Sequence, residues 1–186
     1  MRIIGGIHKG KVIKVAKDLP VRPTTDFAKE ALFNILANKV DFEGLAILDL
    51  FSGTGHISLE FASRGASSVT AVDQSFKCAC FLRSISKDLK LDVNAMKGDV
   101  FEFIKNCSSK FDLIFADPPY DLATIPQIHE GIMKSGLLKP NGILIIEHGH
   151  KTKLDELKQF TQHRKYGNVN FSFFENKEIE SINLTD

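Results

Sequence analysis

In this 186-residue chain, the residue types and spacings that could do chemistry fall into two groups. The first is Asp117-Pro118-Pro119-Tyr120, directly after the run Phe111–Ala116, which has no polar residue beyond Asp112. Two consecutive prolines remove two backbone donors and force a rigid, extended turn. That turn holds a carboxylate and one of only two tyrosines side by side, which points to a functional aromatic rather than a packed loop. The second group is Asp49 followed by Ser52-Gly53-Thr54-Gly55, a turn whose glycines let the backbone approach a ligand before the next helix starts. A nicotinamide fingerprint would need GxGxxG, and this chain has Gly53-Thr54-Gly55-His56-Ile57-Ser58 with an acid ahead of the glycines. The pattern argues against a pyrophosphate ligand and for a cationic one. Asp73 and Asp99 end two further apolar runs, the first placed to hold ribose hydroxyls and the second to accept from an adenine amino group. Singly, each acid is explained as a helix cap or turn residue; four of them converging on one rim are not.

Such convergence needs a particular set of elements. Leu45–Phe51, Ser68–Asp73, Asp92–Met96, Phe111–Ala116 and Ile143–Ile146 are short apolar runs that read as buried parallel strands. Helical spacing over about 56–64, 75–89, 100–107 and 124–136 separates them. The β-α-β-α order predicts right-handed crossovers and an α/β, doubly wound sheet, which binds ligands outside the carboxyl ends of its strands. Ahead of it, residues 2–15 alternate like a short β-hairpin, Pro20 and Pro23 interrupt, and residues 26–38 form a helix with Thr25 or Asp26 as cap. The boundary near Asp41–Gly44 divides a basic arm, residues 1–43, from a core, residues 44–186. Phe160–Tyr166 and Val169–Phe174 around Gly167-Asn168 predict a closing antiparallel hairpin.

Composition is that of an ordinary globular protein, 43% hydrophobic and 25% charged, which excludes disorder and collagen-like repeats. No apolar run approaches the roughly 20 residues of a membrane helix, and Met1–Pro20 lacks the apolar centre of a signal peptide. Cys78, Cys80 and Cys107 are an odd number without a CxxC pair, so a disulfide framework or zinc ribbon is not expected, and a reducing cytoplasm is. His148-Gly149-His150 has no third ligand nearby and reads as a surface loop. Charge is uneven: the first 22 residues hold Arg2, Lys9, Lys11, Lys14, Lys17 and Arg22 against Asp18 alone, leaving the remainder net acidic. A basic arm of this kind can meet phosphates, or be a solvated hairpin.

Asp49-Leu50-Phe51-Ser52-Gly53-Thr54-Gly55 together with Asp117–Tyr120 resembles the S-adenosylmethionine-dependent methyltransferases that modify exocyclic amino groups. Met1-Arg2-Ile3-Ile4-Gly5-Gly6, Arg22-Pro23-Thr24-Thr25-Asp26 and Glu30–Leu36 narrow the resemblance to the bacterial small-subunit (16S) ribosomal RNA guanine-N2 methyltransferases, over residues 1 to about 147. The chain departs from that pattern at His56 and around Ser84–Lys87. The resemblance implies a seven-stranded Rossmann-like sheet and S-adenosyl-L-methionine as cofactor. Asp49 and the Gly53–Gly55 backbone would hold its methionine end, Asp73 the ribose and Asp99 the adenine, with Phe51 and Val100 also in the cofactor site. It implies a catalytic group of Asp117, Pro118, Pro119 and Tyr120. Asp117 and the Pro118 carbonyl would accept the amino protons of a flipped guanine and localise its lone pair, with Tyr120 stacked on the base. Arg2, Lys9, Lys11 and Arg22 would contact phosphates of 16S ribosomal RNA within an assembling 30S subunit. The enzyme is expected to be a cytoplasmic monomer that needs neither metal nor membrane.

Two other readings keep parts of this. The same tetrapeptide suits adenine N6 in DNA or RNA, although an arm of about 40 residues leaves little room for sequence-specific recognition of duplex DNA. A non-catalytic RNA-binding assembly factor could keep the fold, since fold alone does not establish activity. The unbroken set of rim acids and the intact tetrapeptide speak against that.

Overall fold

The computed structural model describes residues 1–15, 19, 26–120 and 123–177. Arg22, the two prolines beside it and Thr25 lie outside the described residues. Parallel neighbours cannot be joined by a tight turn, so helical crossovers separate the strands. β1 (Ala46–Leu50), β2 (Ser68–Asp73), β3 (Val93–Lys97), β4 (Phe111–Ala116) and β5 (Leu138–His148) are connected by α2 (His56–Ser63), α3 (Phe76–Asp88), α4 (Val100–Asn106) and α5 (Ile125–Ser135). α1 (Asp26–Ala37) precedes them, and β6 (Phe160–Tyr166) and β7 (Val169–Glu175) close the chain. The seven-stranded sheet runs β3-β2-β1-β4-β5-β7-β6, with β7 antiparallel to both its neighbours. This is the expected α/β, Rossmann-like architecture.

Side-chain alternation along each strand sorts the core onto two faces. Ile47, Leu113, Phe115, Ile143 and Ile145 pack beneath Leu32, Phe33 and Leu36 of α1 and Ile57 and Phe61 of α2. Leu48, Leu50, Ile114, Leu144 and Ile146 pack against α4 and α5 on the other side. β5 begins earlier than the apolar run Ile143–Ile146 predicts. Lys139-Pro140-Asn141-Gly142 carries turn chemistry, yet here it forms a bulge: the pairing shifts register between Phe111/Leu138 and Leu113/Ile143. Asn176 bridges the bulge, its amide donating to the carbonyls of Leu138 and Lys139 at 3.0 and 3.1 Å.

The N-terminal arm reverses direction as a hairpin does, but without two regular strands. A single antiparallel bridge joins Arg2 and Val12 across a 3-10 turn at Gly6–His8. Backbone bonds cross the turn, from the Ile3 N–H to the Lys11 carbonyl at 3.0 Å and from the Ile13 N–H to the Met1 carbonyl at 2.8 Å, and α2 fixes the arm on the core. The Glu60 carboxylate, 0% exposed, accepts from the Ile4 N–H at 2.8 Å and from Arg64 Nε at 2.8 Å, and lies 3.8 Å from Lys29 Nζ. Lys29, also buried, donates to the Arg2 carbonyl; burial lowers its pKa and Glu60 opposes that shift. Ser63 Oγ donates to the Gly5 carbonyl at 2.7 Å and accepts from the His8 N–H at 3.0 Å. Ile3 and Ile13 then pack on Leu59 and Leu82.

Removing Glu60 would leave the buried Lys29 ammonium without its counter-charge and the Ile4 N–H without its acceptor, a loss of about 3–5 kcal/mol. Glu60→Ala is therefore expected to lower the urea midpoint substantially, measured by circular dichroism. An unchanged midpoint would mean that this cluster does not hold the arm.

Candidate active site at the strand switch point

From β1 the chain steps outward through β2 to β3 and then returns to place β4 on the other side of β1. The crevice at that reversal lies between the turns that follow β1 and β4. The two turns are joined at their base, where the Asp117 N–H donates to the Leu50 carbonyl at 3.2 Å.

On the β1 side, Asp73 organises the glycine turn. Its Oδ2 accepts from the Gly53 N–H at 2.8 Å and its Oδ1 from the Ser75 N–H at 2.8 Å, so one carboxylate ties the turn to the start of α3. Gly55, at φ +77°, opens α2, and a Cβ there would stand 2.3 Å from Leu82. Gly53, at φ +52°, faces open space with no atom within 4 Å of where its Cβ would be. The turn thus presents bare backbone that a ligand can approach closely. Phe51 holds φ +61°, which is uncommon for a residue other than glycine, and packs its ring on the core.

Asp49 lies one layer lower than an open rim position. It is 1% exposed and accepts from Ser58 Oγ of α2. Burial, assisted by the neighbouring charge of Asp73 and opposed by Ser58, raises its pKa to about 7. Asp99 caps α4, its Oδ1 accepting from the Phe101 and Glu102 N–H groups at 2.9 and 3.0 Å. Gly98 N–H donates to the Asp73 carbonyl at 2.9 Å, which joins the ends of β2 and β3. Val100 is 3% exposed and packs into the core, so its side chain seats α4.

On the β4 side, Asp117 is half-buried, Pro118 is buried and Pro119 is exposed. Tyr120 is held in place: its hydroxyl donates to Glu147 Oε1 at 2.5 Å, and its ring crowds Gly149, where a Cβ would come within 3.2 Å. Glu147, 3% exposed near the end of β5, is brought to the candidate site by that bond, and the sequence reading missed it. The available signal was the one used for the other strands, an acid ending an apolar run.

His56, the departure from the family pattern, opens α2 beside the glycine turn. It is half-buried with Nε2 sealed from solvent and, among the described residues, without a hydrogen-bond partner. Burial, with nearby Lys29, lowers its pKa to about 4, so it is neutral near pH 7. Lys9 and Lys11 are exposed on the arm, whereas Arg2 lies 3.4 Å from Asp26. His148 is not in a surface loop: it is buried in β5, with Nε2 2.8 Å from Ser172 Oγ. It was misread because the strand continues past its apolar residues. Among the described residues no group of three or more His, Cys, Asp or Glu could hold a metal, and no helix is long and apolar enough to cross a membrane.

Residues 1–175 match the family described as conserved hypothetical protein 95. The chain is 31% identical over 148 residues to the ribosomal RNA small subunit methyltransferase D of Buchnera aphidicola, covering 79% of this chain and 75% of that protein. The chain belongs to the methyltransferase D family. It is also 32% identical to the putative rRNA methyltransferase YlbH of Bacillus subtilis, over 84% of this chain and 86% of the relative. The putative methyltransferase yhhF of Escherichia coli shares the fold, with a TM-score of 0.83 at 23% identity over 95% of this chain and 98% of that one.

As a member of the methyltransferase D family, the chain is an enzyme that uses S-adenosyl-L-methionine. The residues present fit that cofactor: a bare glycine turn, Asp73 beneath it, and the buried acid Asp49 to complement a cation. A cation brought to this turn stabilises the ionised form of Asp49 and so displaces its proton. Cofactor affinity is therefore expected to rise as pH increases from 6 to 8, through the pKa of about 7. Calorimetry in two buffers of different ionisation enthalpy would detect the released proton, and Asp49→Asn should abolish both effects. A pH-independent affinity in the parent protein would show that Asp49 does not respond to the cofactor.

Proposed function

We propose that this methyltransferase transfers the methyl group of S-adenosyl-L-methionine to the exocyclic N2 of a guanine in 16S ribosomal RNA. The observation that carries the reading is the Asp117-Pro118-Pro119 turn, fixed beside the glycine turn through the backbone bond from Asp117 to Leu50. Guanine N2 is a poor nucleophile because its lone pair is delocalised into the ring. Acceptors on its two protons favour a tetrahedral nitrogen and stabilise the positive charge that grows there as the bond to carbon forms. Asp117 and the Pro118 carbonyl are such acceptors, and consecutive prolines keep them from relaxing away. When bound, the cofactor supplies a sulfonium-activated methyl group. Tyr120, anchored to Glu147, offers a pre-positioned face for the base. A base inside a stack cannot reach this crevice, so the guanine must be flipped out.

Support for a small-subunit RNA target comes from the Buchnera relative's name together with the exposed cations of the arm, Lys9 and Lys11, to which Arg2 and Arg22 are added as phosphate contacts. A basic arm of residues 1–43 on a core of residues 44–186 would position RNA while the core does chemistry. The natural substrate in this reading is an assembling 30S subunit in the cytoplasm, engaged by a single copy of the enzyme.

The test is transfer of labelled methyl to ribosomal RNA and to 30S particles from a strain lacking the gene, with the product nucleoside identified by mass spectrometry. N2-methylguanosine is expected, with turnover reduced about 100- to 1,000-fold in Asp117→Ala and cofactor affinity retained. N6-methyladenine, or no transfer to either substrate, would overturn the reading. Replacing Lys9 and Lys11 together with glutamate should raise the KM for 30S and flatten its salt dependence, leaving cofactor affinity unchanged. Weakened cofactor binding would contradict that division of labour.

A further inference from the structure

Phe27, on the first turn of α1, is 68% exposed. Isolated exposed phenylalanines are ordinary, but the contacts around this one place it at the carboxyl rim of the sheet. Just beyond the far end of α1, Lys39 Nζ lies 2.9 Å from Glu175, which pairs with Ile143 away from that rim. At the near end, the Phe27 ring meets Tyr166 edge-on, with centroids 6.0 Å apart. Tyr166 pairs with Val169, next to Asn170, which stands opposite His148 at the carboxyl end of β5.

Behind Tyr166 the rings continue inward. Tyr166 lies 6.2 Å from Phe171, and Phe171 lies 6.4 Å from Phe115, two residues before Asp117. A ladder of aromatic rings therefore runs from beneath the Asp117 turn to the surface and ends in an exposed face. Cations flank that face: Arg2, its side chain 52% exposed and 3.4 Å from Asp26, on the arm, and Arg164, exposed two residues before Tyr166 on β6.

We propose that Phe27, backed by Tyr166, is a stacking platform for the unpaired nucleobase next to the flipped target, with Arg2 and Arg164 drawing in the phosphates on either side. The inference rests on the reading that the substrate is RNA. Flipping one base out of a stack strips its neighbour of a stacking partner, and an aromatic surface at the rim replaces what is lost. Every base has a π-face, so such a platform adds affinity without demanding a particular sequence. Flanking cations complement the backbone charge of the strand and would repel a basic partner.

The chain contains no tryptophan, so Phe27→Trp introduces the only indole. Its fluorescence is expected to be quenched on titration with a six-nucleotide adenine oligomer and left unchanged by an abasic oligomer of equal length and charge. Phe27→Ala should weaken binding of the adenine oligomer and raise the KM for 30S by roughly 5- to 150-fold. Phe27→Trp should restore both, with kcat and cofactor affinity unchanged throughout. Equal quenching by the abasic oligomer, or unaltered binding by Phe27→Ala, would overturn the platform. If the parent protein produces N2-methylguanosine while Phe27→Ala behaves identically, the platform falls and the proposed reaction stands. If the adenine oligomer binds through Phe27 but no methylguanosine forms, the platform stands and the proposed reaction falls.

Discussion

The hydrogen bond from the Asp117 N–H to the Leu50 carbonyl is a single backbone contact, but the geometry of the site follows from it. It ties the last residue of β1 to the residue that follows β4, where the strand order reverses, and so holds the glycine turn and the proline turn side by side. Neither turn is of use to methyl transfer alone. Bare backbone over Asp73 can seat a charged cofactor, and a rigid pair of acceptors can prepare an amine; the reaction needs them within one crevice. Orientation of this kind is worth several kcal/mol in a bimolecular reaction, because reactants need not be brought together again for each attempt.

α2 extends that constraint to the arm. Its first residue follows the glycine turn, its second turn carries Glu60, and Ser63 ends it. The same short helix therefore borders the glycine turn at one end and grips residues 4–8 at the other. Burying Lys29 and Glu60 there costs desolvation that an apolar pair would avoid. What the charges add is direction: an acceptor for one particular N–H of the arm and a donor for one particular carbonyl. Apolar packing of Ile3 and Ile13 would tolerate small slips of the chain; these hydrogen bonds do not.

Strand and helix positions were legible because buried parallel strands are nearly continuous apolar runs, and the spacing between them could only be helical. Where reading failed, local chemistry was overruled by tertiary partners. Lys139-Pro140-Asn141-Gly142 has turn chemistry, and becomes part of β5 where Asn176 bonds the Leu138 and Lys139 carbonyls and the Asn141 N–H. His148 looks exposed by composition, and is buried because Ser172 on β7 meets it. The rim acids were legible as a set, but their depths were not: Asp49 is sealed by Ser58, nine residues on, a relation that exists only once α2 has folded back. The arm's alternation suggested the reversal that its local backbone bonds make, but not its anchoring to Glu60, some 56 residues from Ile4 in sequence. Long-range pairing of this kind leaves no trace in spacing.

The most direct test of the switch-point arrangement is a crystal structure of the protein with S-adenosyl-L-homocysteine. The expected result is density for the ligand along Gly53–Gly55, its ribose against Asp73 and its sulfur turned toward Asp117. Ligand density elsewhere, or an Asp117 carboxylate directed away from the sulfur, would contradict the assignment of this crevice as the site of methyl transfer.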